Sequence, residues 1–203
     1  MNKYMPEGYD HCDVHDIIFN HVKPNARLII TLPPRHGKTS IANAIINQHE
    51  NEHFDADMLY ISRSFEAAVG NTFLSNSIKK IGWGTSLHGG YSLIVCDDLI
   101  NDAADARSDE MNEKRLEYIK EVLLRLDING SLIFIGSRWA ENDYLKQVET
   151  LDDFVRLDFS AIDKSGKALF SWHSSEEKLL RVKESVSAEQ WKYLYQQGCV
   201  CQY

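Results

Sequence analysis

Four short apolar runs constrain this chain more than any other feature. They lie within Arg27 to Leu32, Met58 to Ser62, Leu93 to Asp98 ("LIVCDD") and Ser131 to Ser137 ("SLIFIGS"). An unbroken apolar run of this length, bounded by turn residues, is how a strand buried on both faces reads. Such strands occur in parallel sheets covered by helices on both sides. The segments between them fit that arrangement. Apolar residues recur at helical spacing from Val14 to Val22, closed by Pro24-Asn25, and again from Thr39 to Asn47. The pattern predicts a further helix after Ser62 through about Lys80, then a glycine-rich loop, "GWGTSLHGGYS". Ser108 is expected to cap a long amphipathic helix with Asp109 and Glu110 in its first turn, where the helix dipole favours negative charge. Phe154 to Phe159 reads as a fifth strand. The expected fold is an α/β domain over residues 1–170, with a mainly parallel sheet and helices on both faces. A small helical subdomain is expected over 171–203, its helices opening with the capping boxes Ser174-x-x-Glu177 and Ser187-x-x-Gln190.

Charge narrows the function classes. Among 203 residues, 30 acids against 22 Lys and Arg leave a formal net charge of −8. A self-sufficient nucleic-acid binder usually carries a basic excess or stripe, whereas the densest basic clusters here are Lys79-Lys80 and Arg181 to Lys183. DNA contact is therefore expected only within an assembly. No apolar run approaches membrane-spanning length, and "MNKYMPEGYD" lacks a signal-peptide pattern. Cys96 lies inside an apolar run and is expected to act as a small buried hydrophobe. A zinc site from His11, Cys12, His15, Cys199 and Cys201 matches no common zinc spacing, and reduced thiols are expected instead.

The first apolar run leads into "LPPRHGKTS", where Gly37-Lys38-Thr39 ends a loop like a phosphate-binding P-loop. The first glycine of that pattern should stand at position 32, but Leu32 is there, followed by Pro33 and Pro34. Gly-Lys-Thr alone is weak evidence; its place between a buried strand and a helix strengthens it, because a helix N-terminus there offers N–H groups to a phosphate. Gly37 would let the backbone approach the anion, Lys38 would reach the outer phosphates and Thr39 would hold Mg²⁺. "LIVCDD" then ends in Asp97 and Asp98, supplying one acid for the metal and one for the attacking water at the carboxyl end of a strand. In "IGSRWAEND", Ser137 and Arg138 leave another strand end, where a polar group can sense phosphate and an arginine can stabilise transferred charge. Alone, Arg138 would read as a surface salt-bridge partner.

In this order, "LPPRHGKTS", "YISRS", "LIVCDDLINDAADARSD", "IGSRWAENDY" and "GKALFSW…SAEQWKYLYQQ" resemble the large subunit of tailed-phage terminases, the DNA-packaging motors. The resemblance runs from about Val14 to Gln197, and terminases commonly carry Pro-Pro-Arg-His-Gly-Lys-Ser/Thr at this loop. It implies a P-loop NTPase fold of the RecA-like (ASCE) kind, ATP and Mg²⁺ as cofactors, and ATP hydrolysis that drives double-stranded DNA into a procapsid. Nucleotide would be held by Pro34, Arg35, His36, Gly37, Lys38, Thr39 and Ser40, with Arg35 as an arginine finger acting within the subunit. Thr39 and Asp97 would hold Mg²⁺. Asp98 would polarise water, with Arg35 and Arg138 as further catalytic groups, and Ser137 would couple hydrolysis to movement. The implied partners are DNA within an assembly, a portal and procapsid, a small terminase subunit and further copies of the chain, in a host cytoplasm. Adenine recognition near Tyr9, His11 or His15 follows from position alone.

Three departures qualify the resemblance. "SLHGGYS" lacks the arginine that many relatives carry before the Asp-Asp strand, and His88, mostly neutral at pH 7, is a poor substitute. The stretch between the loop and that strand is shortened. Relatives continue past "YQQ" into a metal-dependent nuclease, whereas "GCVCQY" follows here, so nuclease activity is not expected from this chain and a separate polypeptide is one possible source of cleavage. Two other readings stay open: another RecA-type DNA-dependent ATPase, or a non-hydrolysing prophage remnant or assembly factor.

Overall fold

The computed structural model describes residues 12–75 and 77–198. Helix α1 (Asp13–His21) precedes β1 (Arg27–Thr31), which feeds α2 (Lys38–Glu52). Strand β2 (Met58–Ser62), the short α3 (Phe65–Val69) and β3 (Lys79–Gly82) follow. Then come β4 (Tyr91–Asp97), α4 (Ala103–Arg107), α5 (Asp109–Leu123), β5 (Leu126–Gly136), α6 (Tyr144–Val148) and β6 (Val155–Asp158). The chain closes with α7 (Glu176–Ser185), α8 (Ala188–Gln190) and a π-helical turn over Trp191–Tyr195.

The strands form one six-stranded sheet in the order β3-β2-β4-β5-β1-β6, and every pairing is parallel. All strand carboxyl ends therefore meet at one edge. Alternation along each strand divides the core into two layers. Leu28 and Ile30 of β1, Tyr60, Val95 and Ile133 pack with Ile18 of α1 and Ile41 and Ile45 of α2. Ile29, Ile94, Cys96 and Phe134 face the other way, against Ile119 and Val122 of α5 and Leu145 and Val148 of α6. Burial on both faces is why these strands carry no polar alternation. Cys96 is fully buried, as its apolar run suggests. A third, small cluster joins Ala161, Ala168 and Leu179 with Trp191 and Tyr195 after β6.

Two local expectations fail. The helix expected through about Lys80 ends at Gly70, whose N–H closes onto Glu66 O, and Lys79-Lys80 lie on edge strand β3, in register with Leu59 and Tyr60 of β2. Neighbour pairing overrides the local helical spacing. The expected box from Ser174 to Glu177 does not form: the cap lies one residue later, at Ser175, which accepts from Lys178 N–H, while Glu176 reaches back to Ala168 N–H. The box from Ser187 to Gln190 forms as expected, and Ser108 caps α5.

Candidate nucleotide-binding site

The loop between β1 and α2 shows how Leu32 replaces a glycine. Leu32 prolongs the strand, its N–H donating to Gly136 O at 3.0 Å, and its side chain is fully buried. The reversal comes later. His36 N–H donates to Pro33 O at 3.2 Å, closing a turn with Pro34 second and Arg35 third. Arg35 has φ +63°. Proline followed by a positive φ is the signature of a type II turn, where glycine is usual in the third place. Gly37 is left-handed too, with φ 74°. Such backbone reversals make concavities that bind anions.

Helix α2 begins at Lys38, and its Gly37 cap supplies no side-chain hydrogen bond. The first intrahelical bond runs from Ile41 N–H to Gly37 O, which leaves the N–H groups of Lys38, Thr39 and Ser40 without an intrahelical acceptor. At the start of a 15-residue helix, these donors and the helix dipole suit a phosphate.

The ends of β4 and β5 converge on the loop. The Lys38 ammonium is nearly buried, donating to Ser137 Oγ at 2.9 Å and to Pro33 O at 3.4 Å. Asp98 Oδ2 lies 3.8 Å from it. Ser137 Oγ in turn donates to Leu32 O at 2.7 Å, so the end of β5 positions the lysine from both sides. Thr39 Oγ1 donates to Asp97 Oδ2 at 2.8 Å. Asp97 is 2 % exposed, and burial raises its pKa, with Asp98 adding to the rise. Its Oδ1 is buried without a hydrogen-bond partner, an expensive condition that a ligand would relieve. Asp98 N–H donates to Ile135 O, continuing the β4–β5 ladder, and a φ of +52° then turns its half-exposed carboxylate towards Lys38.

These groups fit a nucleotide-bound Mg²⁺. The threonine hydroxyl, by donating to Asp97, keeps lone pairs for a cation. The orphan Oδ1 of Asp97 is an oxygen acceptor of the kind that a magnesium hydration shell needs.

The structure thus brings together Lys38, Thr39, Asp97, Asp98 and Ser137. Pro34 and Ser40 flank them, and Arg35 is exposed on the loop. His36 is turned inward: its Nδ1 lies 2.9 Å from Pro34 O, and its ring stacks on Phe170 at 5.9 Å. Burial lowers its pKa, so the ring is neutral and its contribution to an anion site is through backbone. Arg138 is also turned inward. It is 4 % exposed, its Nε lies 2.9 Å from both Asp143 oxygens, and its Nη2 donates to Ala140 O and Glu141 O. The salt bridge that Arg138 suggests as a surface feature is therefore a buried one. Of the adenine candidates, Tyr9 and His11 lie outside the described residues, and His15 is fully buried, stacked on Phe170 at 5.5 Å. His11, Cys199 and Cys201 of the zinc combination also lie outside the described residues, while Cys12 and His15 form the capping box of α1.

Sequence reasoning missed three contributors. Tyr60 OH donates to Asp97 Oδ2 at 2.6 Å; as an aromatic within an apolar run it carries no signal beyond core. Burial, then the Asp97 charge, push its pKa far up, so it remains a donor. Asp143 caps α6, and its position just before Tyr-Leu could have been read as a cap. Gln197 Oε1 accepts from Arg138 N–H at 2.9 Å, fastening the C-terminal segment beside Ser137.

The strand order completes the classification. β5 lies between β1, which carries the phosphate loop, and β4, which carries the acids, and six parallel strands with this loop define the α/β P-loop NTPase fold. Solved structures of a phage terminase agree. The large terminase from a thermophilic bacteriophage matches with a TM-score of 0.58 at 7 % identity, over 92 % of this chain and 52 % of that one. The same terminase in complex with ADP gives a TM-score of 0.55 at 11 % identity, over 98 % and 52 %. AMPPCP-bound DnaA from Aquifex aeolicus gives 0.48 at 12 % identity, over 90 % and 55 %. The likeness to the terminase is one of fold, and this chain spans about half the length of these proteins. No protein-family model matches the chain, and no curated protein does. Among the described residues, no helix is long and apolar enough to cross a membrane.

Proposed function

We propose that this chain is the ATPase of a viral DNA-packaging terminase, hydrolysing Mg·ATP to move double-stranded DNA into a procapsid. The observation that carries the ATPase reading is the convergence of Lys38, Thr39, Asp97, Asp98 and Ser137 on one loop. The packaging role rests on the terminase-like loop and the order of the motifs after it, with the fold likeness to a phage terminase as support.

The N–H groups at the start of α2 bind the phosphates, and Lys38, held by Ser137, lies against the outermost one. Thr39 and Asp97 would hold a Mg²⁺, which would neutralise charge building on the phosphate oxygens. Asp98 orients a water and accepts its proton as the water oxygen bonds to the terminal phosphorus. The bond to the bridging oxygen breaks, releasing ADP and phosphate. Arg35, exposed at the turn, stabilises the transferred charge. Arg138 acts by holding the strand end that carries Ser137. The working form is a homo-oligomer on a portal, with a small terminase subunit.

Steady-state hydrolysis, measured alone, with duplex DNA and with portal-bearing empty capsids, tests this reading. Slow basal turnover that rises with DNA and capsids is expected, because arginine fingers are worth about 10³ to 10⁵ in rate and "SLHGGYS" lacks the one that would reach a neighbouring subunit. Fast hydrolysis by dilute monomer, or none under any condition, would overturn it. Stimulation by single-stranded DNA alone would favour a different RecA-type ATPase.

A further inference from the structure

Asp97 is gripped from β2 at two points. The phenol of Tyr60 donates to the side-chain Oδ2 at 2.6 Å, and Ser62 Oγ donates to the backbone carbonyl at 3.1 Å. The register explains why: β2 pairs with β4 so that Ser62 lies opposite Asp97 and Tyr60 opposite Val95. Tyr60 is therefore two residues back on the same face of the sheet, where its ring length delivers the hydroxyl to the carboxylate. Oδ2 also accepts from Thr39 Oγ1 at 2.8 Å. With two donors on one oxygen, the carboxylate cannot turn about its terminal torsion without breaking both. The other oxygen, Oδ1, is left buried and unpartnered in a fixed direction.

The ring of Tyr60 is 1 % exposed within the core layer shared with α2. Phenylalanine would fill that space equally well. An apolar ring would also avoid burying a hydroxyl, so core packing gives no reason for the phenol oxygen. Its partner does.

We infer that Tyr60 is a positioning residue for the metal site: with Thr39 it holds Asp97 Oδ2, so that the carboxylate stays fixed beside the nucleotide's magnesium. This rests on the reading of the site as one for Mg·NTP. The hydroxyl, with Asn71 and Ser62 also beside it, acts through the carboxylate.

The test uses the full chain and its Tyr60→Phe variant, with a fluorescent ADP analogue as probe. Binding is measured first in EDTA and then across a Mg²⁺ titration. Metal-free affinity should stay within about twofold of wild type, while the Mg²⁺ concentration for half-maximal tightening rises roughly tenfold or more, the scale of a lost hydrogen bond to a charged group. A merely structural hydroxyl would leave that midpoint where it is, and an unchanged midpoint overturns the inference. So does loss of metal-free binding, which would make Tyr60 a residue of the fold rather than of the metal site. A double-mutant cycle with Asp97→Asn, read as urea midpoints without nucleotide, measures the Tyr60–Asp97 bond independently; additive effects would also overturn it. Wild-type protein that binds the probe with no response to Mg²⁺ would sink the Mg·NTP reading itself, before any variant is compared.

Discussion

Replacing Asp143 with alanine separates a positioning role of Arg138 from a direct one. The Asp143 side chain is wholly buried and faces a guanidinium that is 5 % exposed. Its carboxylate also accepts from Trp139 N–H at 2.8 Å and caps α6 through Lys146 N–H. Truncation leaves the arginine charge buried and unpaired, a change that costs about 3–5 kcal/mol. Loss of the cap adds about 1 kcal/mol. For a domain of this size each kcal/mol lowers the melting temperature by about 2–4 °C, so a fall of roughly 8–24 °C is expected for Asp143→Ala. Differential scanning calorimetry at neutral pH, without nucleotide, measures it. Asp143→Asn, which keeps cap and volume, should fall less. If Arg138 acts only by holding the end of β5, then Asp143→Asn and Arg138→Lys should depress turnover together at temperatures where both are folded. A melting shift below about 3 °C for the alanine variant would refute the buried-pair argument. Full turnover in Asp143→Asn beside none in Arg138→Lys would give the guanidinium a direct part in the chemistry.

Four further outcomes follow from the site and its surroundings. Lys38→Ala should bind ATP weakly by calorimetry with an unchanged circular dichroism spectrum; wild-type affinity would remove Lys38 from the phosphates. Asp98→Asn should retain Mg·ATP and lose turnover by about 10²-fold or more, whereas Asp97→Asn should lose magnesium-dependent binding; wild-type turnover in Asp98→Asn would undo the division of roles. Arg35→Gly should match or exceed wild-type stability, because glycine takes the +63° φ without strain, yet turn over on the order of 10³-fold more slowly; undiminished turnover would deny Arg35 the finger role. His49, bonded to Ser92 and tilted against the His53 ring, has its pKa lowered to about 4, mainly by burial. The unfolded chain therefore takes up this proton first, near pH ~6.5. Its contribution to stability is full above that pH and falls as pH drops towards about 4. Urea midpoints should decline less from about pH 7 to 5 in His49→Gln than in wild type, and parallel declines would contradict the assignment.

The fold was legible where strands are buried on both faces, because burial writes itself into the chain as unbroken apolar runs such as Leu28 to Ile30 and Leu132 to Ile135. It was not legible at β3, whose Lys-Lys-Ile-Gly has one apolar side chain and exists as a strand through pairing with β2. The lysines are where an edge strand tolerates charge: Lys79 reaches Tyr91 OH and Lys80 the carbonyls of Asn71 and Leu74. In the candidate site, the phosphate loop and the two acids were readable because their chemistry demands particular residue types at particular spacings. Tyr60, Asp143 and Gln197 were not singled out, since each works by meeting a partner on another segment or by closing a local loop. Arg138 was found by motif, but nothing in "SRWAEND" says that its side chain is buried against Asp143.

The sheet order also sets a timetable for synthesis. β1 sits between β5 and β6, so both of its neighbours are made late. Its register with β5 begins at Leu132, roughly 100 residues beyond Thr31, or about 5–20 s of elongation at usual rates. During that interval the strand leading into the phosphate loop has emerged with two unpaired edges and an unbroken apolar run, while β2, β3 and β4 can already associate among themselves. The nascent chain is thus most exposed to aggregation and most in need of a holding chaperone before β5 appears. Ribosome-stalled chains ending on either side of β5 should differ sharply in protease resistance around β1.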